Sequence, residues 1–254
     1  MQIQWADIDL DSCCLDFPNV IEAHNERDGL VAIGGDLTPQ RLLSAYRQGI
    51  FPWYDEDKPI MWWSFPQRMV LIPSQLKVSR SLAKSLRNKC YAVTVNYAFD
   101  RVIAACAATF RAGQNGTWLL PEMQDAYRQL HRQANACSFE CWYLDEDGQV
   151  YLAGGLYGVL LGQIFYGESM FALATDASKI AFVHAVRYLQ RLGVPMIDCQ
   201  VYSQHLASLG AAEIAHEDFM AYLQQFNCRS LSETVTAQIL VKQGVEPLSA
   251  DHLL

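Results

Sequence analysis

Residues 177–202 decide the fold and read ASKIAFVHAVRYLQRLGVPMIDCQVY. The first part repeats apolar side chains every three or four residues, which predicts a helix over 177–192 with a buried stripe formed by Ile180, Val183, Val186 and Leu189. Gly193 follows, as is common just after a helix C-terminus. The apolar residues 196–202 then predict a buried strand. A helix that leads directly into a buried strand predicts a sheet with helices packed on its faces.

The sequence upstream of this helix alternates between strand and helix patterns. It predicts strands at 70–73, 91–95, 139–144, 149–157 and 163–166, and helices at 99–110 and 121–134. Because these strands read as antiparallel neighbours while the strand after the long helix reads as parallel, the fold class is α+β. We expect a small N-terminal domain over the turn-rich residues 1–70 and a larger domain over 71–254, in which residues 228–254 form a divergent tail.

The composition is that of a folded chain without a membrane segment. Of its 254 residues, 51% are apolar and 18% are charged, which excludes extensive disorder. No apolar run reaches the roughly 18 residues that a transmembrane helix needs, and the acidic N-terminus lacks a signal-peptide pattern. We therefore expect a cytoplasmic protein that has no membrane partner. We also expect a monomer, although no pattern of the sequence decides the oligomeric state.

The cysteines and histidines give no indication of a metal site. Eight cysteines and six histidines form none of the short paired spacings of zinc sites, such as CxxC or HExxH. The glycine patterns of P-loop and dinucleotide-binding proteins are also missing from the sequence. We therefore predict neither a metal nor a cofactor.

A basic segment interrupts a chain whose net charge is −8. Residues 58–99 contain no Asp or Glu and seven cations, namely Lys58, Arg68, Lys77, Arg80, Lys84, Arg87 and Lys89. Arg80, Lys84 and Arg87 fall on one face of a helix that Ser79 can cap. Such a face fits either phosphate binding or an ordinary solvated surface. The adjacent tryptophans of GIFPW (49–53) and WWS (62–64) fit either a rigid core or a surface on which a base stacks, at ~1–3 kcal/mol per base.

Two acidic positions lie within apolar strand patterns. Asp198 and Gln200 flank Cys199, and strand alternation predicts that they point to one face while Cys199 and Val201 point into packing. Glu168 lies in YGESMF, among aromatic residues. A carboxylate in such surroundings is paired, hydrogen-bonded or functional. The two acids therefore indicate either loop-tying contacts or a pocket for a cationic group with apolar walls.

The chain also carries a series of short motifs, in the order GGDL (34–37), GIFPW (49–53), WWS (62–64), SRS (79–81), NYAF (96–99), GTW (116–118), GG-x-YG (154–158), GESMF (167–171), ASK (177–179), DCQ (198–200) and H-x-x-SLGA (205–211). This series resembles the leucyl/phenylalanyl-tRNA–protein transferases across residues 29–226. The resemblance implies an enzyme that moves Leu, Phe or Met from aminoacyl-tRNA to the N-terminal Arg or Lys of a protein and marks it for N-degron proteolysis. It also implies a C-terminal domain similar to the GCN5-related acetyltransferases behind a smaller N-terminal domain.

The resemblance assigns roles to residues of the motifs. It implies that Trp53 and Trp118 bracket the terminal adenosine of the tRNA, and that Asp198 and Gln200 handle the attacking amine. The glutamate of GESMF is Glu168, and we expect it, together with Asp198, to attract the cationic N-terminal residue. The remaining assignments are an apolar pocket for the transferred side chain, which includes Leu156 and Phe165, and a surface for the tRNA acceptor stem, formed by Arg80, Lys84, Arg87 and Lys89.

This sequence departs from the family pattern at a few positions. The family often has Met where this chain has Leu156, in the wall of the aminoacyl pocket, and Asn where this chain has Ser203. The WWSP of the family is WWSF here, with the proline at Pro66. These differences concern the preferred amino acid and not the class of reaction.

Two other functions fit parts of the sequence. A coenzyme-A-dependent acetyltransferase of the same fold would need a pyrophosphate loop of the form Q/R-x-x-G-x-G/A, which the sequence lacks. A non-catalytic tRNA-binding module would explain the basic segment and the tryptophans, but it would leave Asp198 and Glu168 without a role.

Overall fold

The computed structural model describes residues 9–10, 15–109 and 117–245. Its helices are α1 (Val20–Glu26), α2 (Pro39–Arg47), α3 (Arg80–Asn88), α4 (Phe99–Ala108), α5 (Pro121–Arg132), α6 (Ala177–Arg191), α7 (Gln204–Ser208) and α8 (His216–Phe226). The predicted cap of α3 is confirmed, because the Ser79 hydroxyl accepts a hydrogen bond from the Leu82 amide. The Thr38 hydroxyl caps α2 in the same way by accepting from the Arg41 amide.

A large mixed sheet forms the centre of the molecule. Its strands are β5 (Gln67–Leu71), β6 (Tyr91–Val95), β7 (Ala136–Leu144), β8 (Val150–Leu161), β9 (Ile164–Ala172), β10 (Met196–Asp198), β11 (Ala212–Ala215) and β12 (Gln238–Gln243), in the order β11-β5-β10-β9-β8-β7-β6-β12. Within this sheet β10 runs parallel to β9, and the other pairings that the structure describes are antiparallel. The predicted α+β class and the parallel strand after the long helix are confirmed.

A smaller sheet precedes the large one in the chain. It contains β1 (Asp9–Leu10), β2 (Leu30–Gly34), β3 (Phe51–Pro52) and β4 (Met61–Trp63), in the order β1-β2-β4-β3. The next strand, β5, begins three residues before the expected domain boundary at residue 70 and belongs to the large sheet. Part of the expected tail also joins that sheet, because β12 pairs with β6 at its edge. The division into two domains stays a prediction.

Helices cover both faces of the large sheet. The α6 helix buries Ile180, Val183, Val186 and Leu189 in one hydrophobic cluster, which confirms the predicted stripe. Buried side chains of α2, α4 and α5 belong to a second cluster, together with the alternate residues of the strands. Because neighbouring residues of a strand point to opposite faces, Phe165 lies in the first cluster and Tyr166 in the second.

The strand after α6 is shorter than predicted. It was expected to continue to residue 202, but β10 ends at Asp198 and Gln200 takes a left-handed conformation with φ of 61°. The Asp198 carboxylate accepts a hydrogen bond from the Gln200 amide, and this local bond turns the backbone away from the sheet. The prediction that Asp198, Gln200 and Val201 alternate along one strand is therefore wrong, and Val201 is 39% exposed instead of packed inside.

Candidate active site

An open cavity of about 360 Å³ lies where the small sheet meets the large one. Its walls come from β3 and the residue after it, the segment before α5, the middle of β8 and β9, the end of β10, and α6 and α7. The lining side chains are mostly apolar, with a few polar groups among them. This combination is typical of a small-molecule or reactive-group site.

Six of the seven predicted pocket residues line this cavity. They are Trp53, Trp118, Leu156, Phe165, Glu168 and Gln200. They come from five separate parts of the chain, so the fold brings together residues that the sequence places up to 147 positions apart (200 − 53). Asp198, the seventh, is fully buried and is not part of the cavity wall.

Trp53 is held at the cavity rim through its backbone. The Trp53 amide donates to the Met61 carbonyl at 2.9 Å, and the indole N–H of Trp63 donates to the Trp53 carbonyl at 2.6 Å. The Trp53 side chain is 38% exposed. Trp118 follows a segment that includes Gly116 of the GTW motif, which lies outside the described residues, and its side chain is half-buried. Both indoles therefore present surface to the same opening.

Asp198 points away from the cavity and into the protein. Its two carboxylate oxygens accept hydrogen bonds from Nε and Nη2 of Arg68, at 2.8 and 2.7 Å. Arg68 is itself buried between the rings of Phe51 and Phe219. An alternating strand was expected to aim Asp198 at a cationic substrate, and that expectation is wrong because the carboxylate already has an internal cation as its partner. Arg68 is likewise withdrawn from the basic surface.

Glu168 forms a hydrogen-bonded cluster at the polar end of the cavity. The hydroxyls of Tyr46 and Tyr127 each lie 2.7 Å from one of its carboxyl oxygens, and Nε2 of Gln200 donates to Oε1 at 3.1 Å. Burial raises the pKa of Glu168 to about 7, although the hydrogen bonds from Tyr127, Tyr46 and Gln200 act in the opposite direction. Burial also raises the pKa of both tyrosines well above 10, so their hydroxyls stay neutral.

Sequence reasoning missed Tyr46, Tyr127 and Arg68. Both tyrosines lie on the buried faces of amphipathic helices, where an aromatic residue reads as ordinary core. Arg68 belongs to a run of basic residues and has no local feature that separates it from exposed cations. The signal that would have found it is its position in β5, a strand whose other residues from Met69 to Leu71 are buried.

The apolar end of the cavity combines Leu156 and Phe165 with Met170, Phe182 and Ile197. Leu156 and Phe165 are both almost fully buried and face the side of the sheet that α6 covers. Cys199 also lines this region, and burial raises the pKa of its thiol, so it behaves as a neutral apolar group.

The predicted basic surface is present on α3. Arg80, Lys84 and Arg87 are exposed, while Leu82 anchors the helix to the core. Lys89 has a different environment, because its Nζ donates to the Thr175 carbonyl and lies over the Tyr143 ring. Three of the four predicted residues thus offer free cationic side chains to solvent.

Neither a metal cluster nor a membrane span is found in the part of the chain that the structure describes. Across residues 9–10, 15–109 and 117–245, no three His, Cys, Asp or Glu side chains are arranged to hold a metal ion. Over the same ranges, the helices are too short or too polar to cross a bilayer.

Comparison with known proteins places these features in one family. A family model described as leucyl/phenylalanyl-tRNA protein transferase matches residues 70–224, and the model of the N-terminal domain of that family matches residues 35–64. The chain belongs to the leucyl/phenylalanyl-tRNA protein transferase family. It is an aminoacyl-tRNA–protein transferase, as the motif series indicated, and the family assignment disfavours both the acetyltransferase and the non-catalytic module.

Curated relatives support the assignment over most of the chain. The leucyl/phenylalanyl-tRNA–protein transferase of Chromobacterium violaceum is 56% identical over 209 residues, which cover 82% of this chain and 87% of that protein. The enzyme of Neisseria meningitidis serogroup C is 48% identical over 229 residues, covering 90% of this chain and 95% of the relative. Among solved structures, that of L-PGS from Bacillus licheniformis superposes on the transferase with a TM-score of 0.36 at 10% identity, over 71% of this chain and 61% of that one, which is too loose to carry an argument about the fold.

Proposed function

We propose that the enzyme transfers Leu, Phe or Met from aminoacyl-tRNA to the N-terminal Arg or Lys of proteins, which marks them for N-degron proteolysis in the cytoplasm. The observation that carries this proposal is the single cavity that joins two indoles, an apolar end and the Glu168–Gln200 pair. The indoles and the apolar end match a donor that carries an adenosine and an apolar side chain. The polar end matches an acceptor that carries a cation.

The donor occupies the rim and the apolar end in this proposal. Trp53 and Trp118 bracket the terminal adenosine, because both indoles line the cavity and an indole stacks well on a base. Leu156 and Phe165 take the Leu or Phe side chain, which gains free energy by leaving water. The three exposed cations of α3 bind phosphates of the acceptor stem, and Lys89 contributes less because the protein already uses its ammonium group.

The acceptor occupies the polar end. Glu168 is the acid that lines the cavity, so it is the group we assign to the cationic side chain of the N-terminal Arg or Lys. Asp198 does not attract that cation directly, because Arg68 satisfies it. Gln200 donates its amide N–H2 to Glu168, which leaves its Oε1 as the acceptor for the attacking amine.

The reaction needs orientation more than strong acid or base catalysis. An α-amine has a pKa near ~7.7–8.0, so part of it is neutral at pH 7. Its nitrogen attacks the ester carbonyl, the new C–N bond replaces the C–O bond to the ribose, and the amine proton ends on the released ribose oxygen. Holding the two reactants together in the right orientation can lower the activation barrier by up to ~7–11 kcal/mol. Gln200 orients the amine, and Asp198 acts as a positioning residue for Gln200.

The remaining assignments rest on the motif series. We propose that the larger domain is related to the GCN5-related acetyltransferases, that the first 70 residues or so form the smaller domain, and that the enzyme acts as a monomer without a metal or a coenzyme. The buried ion pair between β5 and β10 and the mixed sheet are compatible with this architecture.

Transfer of labelled leucine from charged tRNA to peptides tests the proposal. A peptide that starts with Arg should accept leucine at least tenfold faster than the same peptide starting with Ala. Trp53→Ala and Trp118→Ala should each lower kcat/KM for the donor, while Trp53→Phe, which keeps a ring, should lose less. Equal transfer to both peptides would contradict the acceptor assignment, and full activity of both Ala variants would contradict the donor assignment.

A further inference from the structure

Tyr46, Tyr127 and Glu168 form a closed ring of three short oxygen–oxygen contacts. The Tyr46 hydroxyl lies 2.7 Å from Oε1 of Glu168, and the Tyr127 hydroxyl lies 2.7 Å from Oε2. The two hydroxyls lie 2.9 Å from each other. Each of these distances is that of a hydrogen bond, and each bond needs one proton between its oxygens.

The number of protons decides which form of Glu168 fits this geometry. Two neutral tyrosines supply two protons, which is one too few for three bonds. With an ionised carboxylate, two lone pairs would therefore face each other across one contact. A protonated Glu168 supplies the third proton: its O–H donates to Tyr127, Tyr127 donates to Tyr46, and Tyr46 donates to Oε1. Nε2 of the Gln200 side chain still donates to Oε1 of Glu168 in this arrangement.

We propose that Tyr46, Tyr127 and Glu168 hold a ring of three protons in the free enzyme, and that a cationic acceptor residue binds by releasing one of these protons to solvent. The inference rests on the proposed function, in which Glu168 faces the N-terminal Arg or Lys. The step is balanced: the carboxylic acid and the cation become an ion pair, and one proton leaves to water.

The surroundings of Glu168 favour a neutral carboxyl until a cation arrives. Burial in a largely apolar cavity disfavours the charged form, and the pKa of about 7 places the exchange within the working range. The charge of Asp198 also raises the pKa of Glu168, and Asp198 is itself paired with Arg68. Further titratable groups around the cluster are Tyr157, Tyr166, Cys199 and His205. Burial raises the pKa of Tyr166 and of the Cys199 thiol and lowers the pKa of His205, so these three groups stay neutral.

The pH dependence of acceptor use tests the ring. The α-amine of the acceptor titrates in the same pH range as Glu168. We therefore compare kcat/KM for an Arg-starting peptide as the ratio of wild-type enzyme to Glu168→Gln, because ionisation of the α-amine affects both enzymes equally and cancels in this ratio. We expect this ratio to be largest near pH 8 and to fall by up to about tenfold for each pH unit below 7. A ratio above one that does not change with pH would overturn the ring and leave the role of Glu168 in recognition intact. A ratio of one at pH 8 would overturn that role, and with it the proposed function of Glu168.

Tyrosine variants separate a positioning role from a general loss of packing. Tyr46→Phe and Tyr127→Phe each remove one ring proton, and we expect each to move the midpoint of the pH profile by half a unit or more. Tyr166→Phe is the matched control, because its buried hydroxyl lies within hydrogen-bond distance of the Asn227 side chain and the Tyr46 carbonyl and does not contact Glu168. An unmoved midpoint in both ring variants, or the same shift in the control, would overturn the proposal.

A spectroscopic measurement reports the ring proton without turnover. The wild-type enzyme at pH 6 should show an infrared band of a protonated carboxyl group that is absent from Glu168→Gln and that weakens when the Arg-starting peptide is added with uncharged tRNA, which cannot donate an amino acid. If the wild-type enzyme without peptide shows no such band at a pH below 6, Glu168 is ionised at that pH, and the ring of three protons is contradicted.

Discussion

Arg68 and Asp198 form a bidentate ion pair in which both side chains are almost completely buried. The pair joins β5 to β10, and the Nη1 of Arg68 also donates to the carbonyl of Gly49 at 3.1 Å, just before β3. Oδ1 of Asp198 in turn accepts from the Gln200 amide. One buried cation therefore fixes the backbone that leads to Trp53 on one side of the cavity and the turn that presents Gln200 on the other.

This relationship predicts that Asp198 acts by positioning. Asp198→Asn keeps an oxygen for the Gln200 amide and should lose about tenfold in kcat/KM, whereas Asp198→Ala releases the turn and should lose about a hundredfold. Both variants remove the counter-charge of the buried Arg68 cation. The Ala variant also removes its hydrogen-bond acceptors and should cost about 3–5 kcal/mol of stability, more than the Asn variant. Peptide-transfer kinetics and thermal unfolding of both variants check the ranking. A loss of several orders of magnitude in Asp198→Asn, while the variant remains folded, would instead indicate proton transfer by the carboxylate.

The double variant Arg68→Met, Asp198→Leu is the control for stability. Replacing a buried ion pair by apolar side chains of similar volume is often neutral for folding. We therefore expect near-normal unfolding but poor activity, because the Gln200 amide loses its acceptor. Normal activity in this variant would show that the Gln200 turn does not need Asp198.

Glu168→Gln should change how stability depends on pH. The pKa of Glu168 in the folded protein, about 7, lies above the unfolded value near 4.5, so the folded state holds the extra proton between these values. Its contribution to stability is present below pH 4.5 and is lost as pH rises through 7, by up to about 3 kcal/mol. Urea unfolding at pH 5 and pH 8 should show the wild type losing more stability than the variant over this range. Parallel pH profiles of the two proteins would contradict this expectation.

Leu156→Phe should change the choice of transferred amino acid. Leu156 is buried in the apolar wall, so a larger ring there narrows the space for the donor side chain. A misfit in an apolar pocket is worth about 1–3 kcal/mol, and we expect the ratio of Phe to Leu transfer to fall about tenfold or more. Leu160→Phe is the matched control, because Leu160 lies on the same strand and in the same cluster but outside the cavity wall. An equal effect of both substitutions would assign the change to strand packing.

The order and class of the main elements could be predicted because their patterns are local. The α6 stripe repeats every three or four residues, and the cap Ser79 directly precedes the helix that it starts. The sequence does not reveal β12, whose residues are predicted to belong to a tail. An edge strand that is half-buried on both faces shows no clear alternation of apolar and polar residues. Its strand structure depends on β6, about 150 residues earlier in the chain.

The contents of the cavity were predictable, but the orientation of its acids was not. The motif series names Trp53, Trp118, Glu168 and Gln200, and the fold brings all four to one opening. The direction of Asp198 depends on a partner 130 residues away, which no local alternation can reveal. The protonation of Glu168 depends in the same way on hydroxyls from two helices, α2 and α5, that are distant in the chain.

The basic face of α3 should contribute affinity for tRNA and little else. Arg80, Lys84 and Arg87 are exposed and lie on one helix, so changing all three to Gln should weaken tRNA binding strongly at low salt and reduce the salt dependence of binding, because fewer counterions are released. A minimal donor, an aminoacyl ester of adenosine, has no acceptor stem and should react as before.

The control replaces three exposed arginines on other helices, Arg101, Arg132 and Arg191, and changes the net charge equally. If both triple variants lower tRNA binding alike, the general charge of the protein is responsible and not the α3 face; if only the α3 variant does so and the minimal donor is unaffected, the face is the stem-binding surface.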